Sequence, residues 1–186
     1  MYDYMAACNA DRLEKIALNY FGRKFSYREL FCEIDRAAAA FCKIGISSGT
    51  VVMAFALNTP ECIVSIYAMN RLGAIVDLQY ADQSPREALE NLQCTHARFI
   101  LTADTFLPLV QDTLELGNFG TSVQVITVSP ARSLPPLKRL FLPTPRCRTK
   151  ADNILSFDDI LVGLHDPIPP GKADDPALIV HTSGTT

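Results

Sequence analysis

No apolar run in this chain is long enough to cross a bilayer. The longest, Val51 to Leu57, stops after seven residues, where a spanning helix needs about 20. The opening stretch, Met1-Tyr2-Asp3-Tyr4-Met5-Ala6-Ala7, lacks both the basic start and the apolar core of a secretory signal. Basic excess is also missing. Lys and Arg number 17 against 20 Asp and Glu, a net charge of −3, so nothing biases the chain toward nucleic acid. None of the six cysteines (Cys8, Cys32, Cys42, Cys62, Cys94, Cys147) forms a CxxC pair. Most fall in apolar periodic segments, which reads as buried free thiols in a reducing cytoplasm rather than disulfides. His96, His165 and His181 stand far apart, without metal-ligand spacing. No Gly-x-x-x-x-Gly-Lys-[Ser/Thr] occurs, which excludes the common nucleotide-triphosphatase loop. There is no internal repeat and no Ser/His/Asp set above background.

What remains is 186 residues, 48% hydrophobic and 20% charged, the composition of a globular chain with room for one real core. Leu13, Ile16, Ala17 and Tyr20 lie at helical spacing and predict a short amphipathic helix over 10–19. An extended piece around Lys24-Phe25 follows. Ser26-Tyr27-Arg28-Glu29 has the form of a capping box. The helix it opens carries Leu30, Ile34, Ala37, Ala38 and Phe41 on one face, with Gly45 just past its end.

Thr50 to Leu57 reads as a central strand covered on both faces. Asn58 or Thr59 caps the next helix, Pro60 sits at its start, and Ile63, Ile66, Tyr67 and Asn70 form its expected inner stripe. Ala74 to Leu78 is the next strand, and Ser84-Pro85-Arg86-Glu87 starts another helix. A strand over Arg98 to Thr102, a helix over Phe106 to Leu116 and a strand over Ser122 to Val128 complete the alternation. The pattern implies an α/β fold with a mainly parallel sheet flanked by helices.

Between Pro130 and Lys150 come five prolines and six Lys or Arg, with no acidic residue. This stretch, 130–173 with the linker that follows, reads as a solvated loop; a basic lid over a phosphate or cofactor is the alternative. Ser156-Phe157-Asp158-Asp159 caps a short helix through Val162, and Asp174-Asp175-Pro176 leads into a last strand, Ala177-Leu178-Ile179-Val180. The adjacent pairs Asp158-Asp159 and Asp174-Asp175 share no face, so capping and solvation account for them. His181 reads as a strand-end packing residue.

The chain ends on Thr182-Ser183-Gly184-Thr185-Thr186. A strand running into such a loop suits polyphosphate: Gly184 admits close backbone approach, successive N–H groups form an anion nest, and four hydroxyls add donors. This pentapeptide matches the phosphate loop of the adenylate-forming (AMP-binding) enzymes. Phe25-Ser26-Tyr27-Arg28-Glu29-Leu30 resembles a helix start of the acyl-CoA synthetases in that superfamily. Leu57-Asn58-Thr59-Pro60-Glu61 with Gly73-Ala74-Ile75-Val76 resembles one of their strand–helix–strand units.

The resemblance implies the N-terminal portion of the large domain of an AMP-dependent synthetase or ligase over residues 1–186. That family joins a carboxylic acid to ATP, giving acyl-adenylate and pyrophosphate, and then passes the acyl group to a thiol such as coenzyme A. It implies ATP with Mg2+, a small carboxylic acid as partner substrate, and nucleotide-binding roles for Thr182, Ser183, Gly184, Thr185 and Thr186. The alternatives are a peptide-synthetase adenylation domain and a non-catalytic α/β interaction module. Two departures stand out. No proline follows the strand at Asp77-Leu78-Gln79-Tyr80 until Pro85, and the sequence ends where the family continues with Gly, Pro and Lys. The family's adenine, acyl, magnesium and catalytic-lysine residues all lie further on. The expectation is a portion of a longer ligase chain, inactive by itself.

Overall fold

The computed structural model describes residues 1–55, 58–80, 82–139, 152–161 and 176–181. It opens with helix α1 (Tyr2–Cys8), which the sequence reading missed. Residues 10–19 are not a helix: β1 (Ile16–Tyr20) pairs antiparallel with β2 (Arg23–Ser26), closing a hairpin through Phe21 and Gly22 at positive φ. Period and burial disagree there. Leu13, Ile16, Ala17 and Tyr20 fit a helical template, but Ile16 is 54% exposed, so no helical apolar face exists.

Helix α2 (Tyr27–Lys43) begins at a complete capping box. The Ser26 hydroxyl accepts from Glu29 N–H, and the Glu29 carboxylate accepts from Ser26 N–H. Then β3 (Val51–Phe55), α3 (Pro60–Arg71), β4 (Ile75–Leu78), α4 (Pro85–Thr95), β5 (Phe99–Ala103), α5 (Leu107–Leu116) and β6 (Gln124–Val128) alternate as expected. Thr59 caps α3 through Cys62 N–H, and Ser84 with Glu87 forms a second capping box on α4. Short pieces follow: α6 (Pro136–Arg139), β7 (Ile154–Ser156), α7 (Phe157–Ile160) and β8 (Leu178–Val180).

Six strands form one sheet in the order β7-β6-β5-β3-β4-β8, and every pairing is parallel. From β3 the chain crosses once toward β4, then back past β3 to β5 and β6. Successive crossovers of one hand therefore put α3 on one face and α4 and α5 on the other. Each face has its own core. Ile34, Phe41, Val52, Ala54 and Met69 belong to the α2/α3 side, and Met53, Phe55, Leu92, Ile100 and Val110 to the α4/α5 side. The period-2 alternation of β3 divides between them.

The stripe expected on α3 is rotated. Cys62, Val64, Ser65, Ala68 and Met69 are buried, while Ile63, Ile66 and Tyr67 are only partly covered. The helix is wedged between the sheet and α2, and that close approach favours the small side chains of Ser65 and Ala68 facing inward, as it does Ala37, Ala38 and Ala40 on α2. The cysteine reading also needs correction. Among described cysteines only Cys62 is buried; Cys8, Cys32 and Cys94 are exposed and Cys42 is intermediate, though all five are free thiols. Within 130–139 the chain is packed rather than solvated: Ala131, Ser133 and Leu134 are buried. The remainder of the basic stretch, 140–151, and the linker 162–175 lie outside the described residues. No described helix is long and apolar enough to cross a membrane.

Candidate functional site

All six strands run the same way, so their carboxyl ends share one edge of the sheet. In open α/β sheets ligands bind outside that edge, where connections leave for opposite faces. Here β3 and β4 meet that description, and β8 lies alongside β4 with Leu78 opposite Val180. Thr182, Ser183, Gly184, Thr185 and Thr186 follow directly in sequence and lie outside the described residues. Val180 and His181 bring the described chain to this edge.

His181 is not a packing residue. Its Nε2 lies 2.7 Å from Oδ1 of Asp77, and because a carboxylate only accepts, Nε2 carries the proton. The other Asp77 oxygen, Oδ2, accepts from the Gln79 side-chain amide at 2.7 Å. Gln79 in turn accepts at Oε1 from Asn91 (2.9 Å) and Gln83 (3.1 Å). The 3.1 Å approach between Gln79 Nε2 and His181 Nε2 places two donors side by side; each bonds to Asp77, not to the other. The Tyr80 hydroxyl donates to the His181 carbonyl, so main chain and side chain are both held from one short segment.

The alternation of β4 explains the arrangement. Val76 and Leu78 turn to the α2/α3 core, which sends Asp77 and Gln79 to the α4 face. Asp77 has no exposed surface. Burial pushes its carboxyl above the ordinary carboxylate range, and the His181 hydrogen bond and charge, with the Gln79 amide, draw it partly back. The sequence held a signal for this cluster: Asp77 is a charge inside the apolar strand Ala74 to Leu78, at the point where the family pattern is broken.

A separate cavity of about 610 Å³ opens on the α2/α3 face, lined in part by Phe25, Glu29, Pro60, Glu61, Arg132 and Ser133. Glu61 is 1% exposed, and neither carboxylate oxygen makes a hydrogen bond of ordinary geometry. Burial raises its pKa, against the opposing pull of the nearby Ser133 and Thr59 hydroxyls and the Arg132 guanidinium. Arg132 is already engaged by Glu33 (2.9 Å) and Asp158 (2.7 Å), and Lys138 donates to the Phe21 carbonyl. These two basic residues of the Pro-rich stretch tie the fold together. Among described residues no group of three or more His, Cys, Asp or Glu converges as a metal site.

A parallel sheet with a polar cluster at its carboxyl edge, beside a Gly- and hydroxyl-rich segment, defines a phosphate- or nucleotide-binding α/β domain. Comparison with known proteins narrows the class. The chain belongs to the AMP-binding enzyme family, whose sequence model matches residues 5–186. It is 29% identical over 170 residues to a crotonobetaine/carnitine–CoA ligase of Proteus mirabilis (strain HI4320), covering 88% of this chain and 29% of that protein. It is 26% identical over 190 residues to an acetyl-coenzyme A synthetase of Dictyostelium discoideum, covering 95% and 27%. In structure it resembles the anthranilate CoA ligase AuaEII (TM-score 0.74, 20% identity, 98% of this chain and 31% of that one). It also resembles a luciferase-like enzyme of the mealworm Zophobas morio (TM-score 0.75, 20% identity, 100% and 39%). The chain therefore spans under a third of the length of these curated relatives, and its fold is that of the corresponding part of adenylate-forming enzymes.

Proposed function

We propose that these 186 residues form the N-terminal portion of the large domain of an ATP-dependent, AMP-forming carboxylic-acid ligase. In this reading Thr182, Ser183, Gly184, Thr185 and Thr186 hold the ATP phosphates while a carboxylate attacks the α-phosphorus. Pyrophosphate leaves, and the acyl-adenylate passes its acyl group to a thiol. Coenzyme A is the proposed acceptor, because the curated relatives are named as CoA ligases and coenzyme A synthetases. Such a step is mainly positioning and charge stabilisation. The observation that carries the reading is β8: a short parallel strand beside β4, aimed at the sheet's carboxyl edge, with the phosphate-type pentapeptide next in sequence.

The described edge suits a nucleotide's phosphates in one respect. The neighbouring donors and acceptors (Asp77, Gln79, Asn91) satisfy one another, so the backbone N–H groups and hydroxyls of the loop remain for ligand. Magnesium enters with the nucleotide in this reading; no described residue is assigned to it. The test is carboxylate-dependent exchange of labelled pyrophosphate into ATP by a protein carrying these residues at the length of the relatives. Exchange should appear with at least one acid and fall by about 10²-fold or more in Gly184→Val, whose Cβ branch obstructs close backbone approach. Full exchange in the variant would remove the loop from the mechanism.

A further inference from the structure

The loop proposed to hold polyphosphate contains no cation: Thr182 to Thr186 offer only neutral donors. The residue before it does carry a titratable ring. We infer that His181 is a further phosphate-contacting residue of this site, oriented by Asp77 through Nε2 and free at Nδ1 to become a charged donor to the polyphosphate. The inference rests on the nucleotide-binding reading above.

Three observations support it. First, the ring has one committed nitrogen and one open one. Nε2 is 2.7 Å from Asp77 Oδ1, Nδ1 has no partner among the described residues, and the side chain is 30% exposed. Second, the carboxylate that orients it is itself fixed. Gln79 holds Oδ2, and Asn91 and Gln83 hold Gln79, so the acid cannot swing away to solvent. Third, the surroundings offer His181 no competing charge. On β4 the facing groups are Asp77 and the Tyr80 hydroxyl. Gln83 and, from α4, Asn91 present neutral amides, and β3 puts Met53 and Phe55 on the same sheet face.

The electrostatic consequence is specific. With a neutral imidazole, the Asp77–His181 pair is net negative and opposes an incoming polyphosphate. With an imidazolium the pair is neutral overall and presents Nδ1–H outward, a charge-assisted donor. Polyphosphate binding and protonation of His181 therefore favour each other, and the coupling is reciprocal. Asp77 acts only through His181 and is a positioning residue.

The experiment titrates pyrophosphate into the 186-residue chain between pH 6 and pH 8, with imidazole nitrogen NMR on the wild type and affinities for wild type, His181→Gln and Asp77→Asn. Ligand-free at pH 8, His181 should show one N–H, at Nε2; pyrophosphate at neutral pH should add the second. The wild-type to His181→Gln affinity ratio should grow roughly fivefold from pH 8 to pH 6, the titration of pyrophosphate itself cancelling in the ratio. Asp77→Asn should lose most of that growth while still binding at pH 8. A flat ratio with imidazole signals unmoved by bound pyrophosphate would overturn the inference and leave the phosphate loop standing; the wild-type spectra give this answer without any variant. No binding above Gly184→Val would overturn the loop reading and the inference with it.

Discussion

Two carboxyl groups in this chain are almost wholly enclosed, and they differ in company. Asp77 is bonded at both oxygens, whereas Glu61 lies against Ser133, Thr59 and Arg132 without a well-formed hydrogen bond. An under-satisfied buried charge is destabilising by about 1–3 kcal/mol. The sign of the pH effect follows. Burial raises the folded-state pKa of Glu61 above its unfolded value, so in the window between the two the folded protein binds more protons than the unfolded. Its contribution is therefore most favourable below the ordinary carboxylate range and declines as pH rises to the raised value. Glu61→Gln keeps the shape and removes the charge. Urea unfolding should show the variant gaining about 1 kcal/mol on wild type between pH 4 and pH 8. A variant equally weakened at both pH values would mean that Glu61 is effectively satisfied as a carboxylate.

Among the elements, the regular helices were legible because their ends are written locally. Ser26 with Glu29, Thr59 with Pro60, and Ser84 with Glu87 announced three helices to the residue. The buried strands were legible as apolar runs, and alternation alone implied their parallel pairing. The misread elements depend on distant contacts. The β1–β2 hairpin packs on α2 rather than presenting a helical face, and α1 is recruited by Tyr2, whose hydroxyl donates to Asp35 and whose N–H donates to Asn70. The site was half legible: the pentapeptide could be read from its residue types, while the Asp77–His181 bond joins residues 104 apart. The same contrast between local and distant causes predicts two different costs on α2. Ser26→Ala removes an exposed cap and should lower stability by about 1 kcal/mol. Ala38→Leu forces a larger side chain into a fully buried position between α2 and its neighbours and should cost about 1–3 kcal/mol, with altered packing seen in near-UV circular dichroism. Denaturant midpoints for the pair check both; equal effects would mean that the α2/α3 contact is loosely packed.

At the scale of the whole molecule, the decisive quantity is how much of a two-substrate site one chain can supply. Forming an acyl-adenylate requires a carboxylate oxygen and the α-phosphorus to be held at attack distance together, and that juxtaposition is worth about 7–11 kcal/mol of barrier. The residues identified here contribute to only one side of that geometry, the phosphate side at the ends of β4 and β8. Nothing among the described residues forms a companion pocket at that edge: the 610 Å³ cavity belongs to the α2/α3 face and its lining does not include Asp77, Gln79 or His181. The chain also spans only 29% of the Proteus mirabilis relative. The 186-residue protein alone should therefore bind pyrophosphate weakly and show no carboxylate-dependent pyrophosphate exchange above Gly184→Val, even with acid and ATP at millimolar concentration. Weak binding follows from the entropy of ordering a loop with a handful of hydroxyl and N–H contacts, which offsets most of what those contacts contribute. Exchange by the wild-type chain, abolished by Gly184→Val, would show that these residues hold the acid as well as the nucleotide, and the carboxylate site would then have to be sought on this same sheet edge.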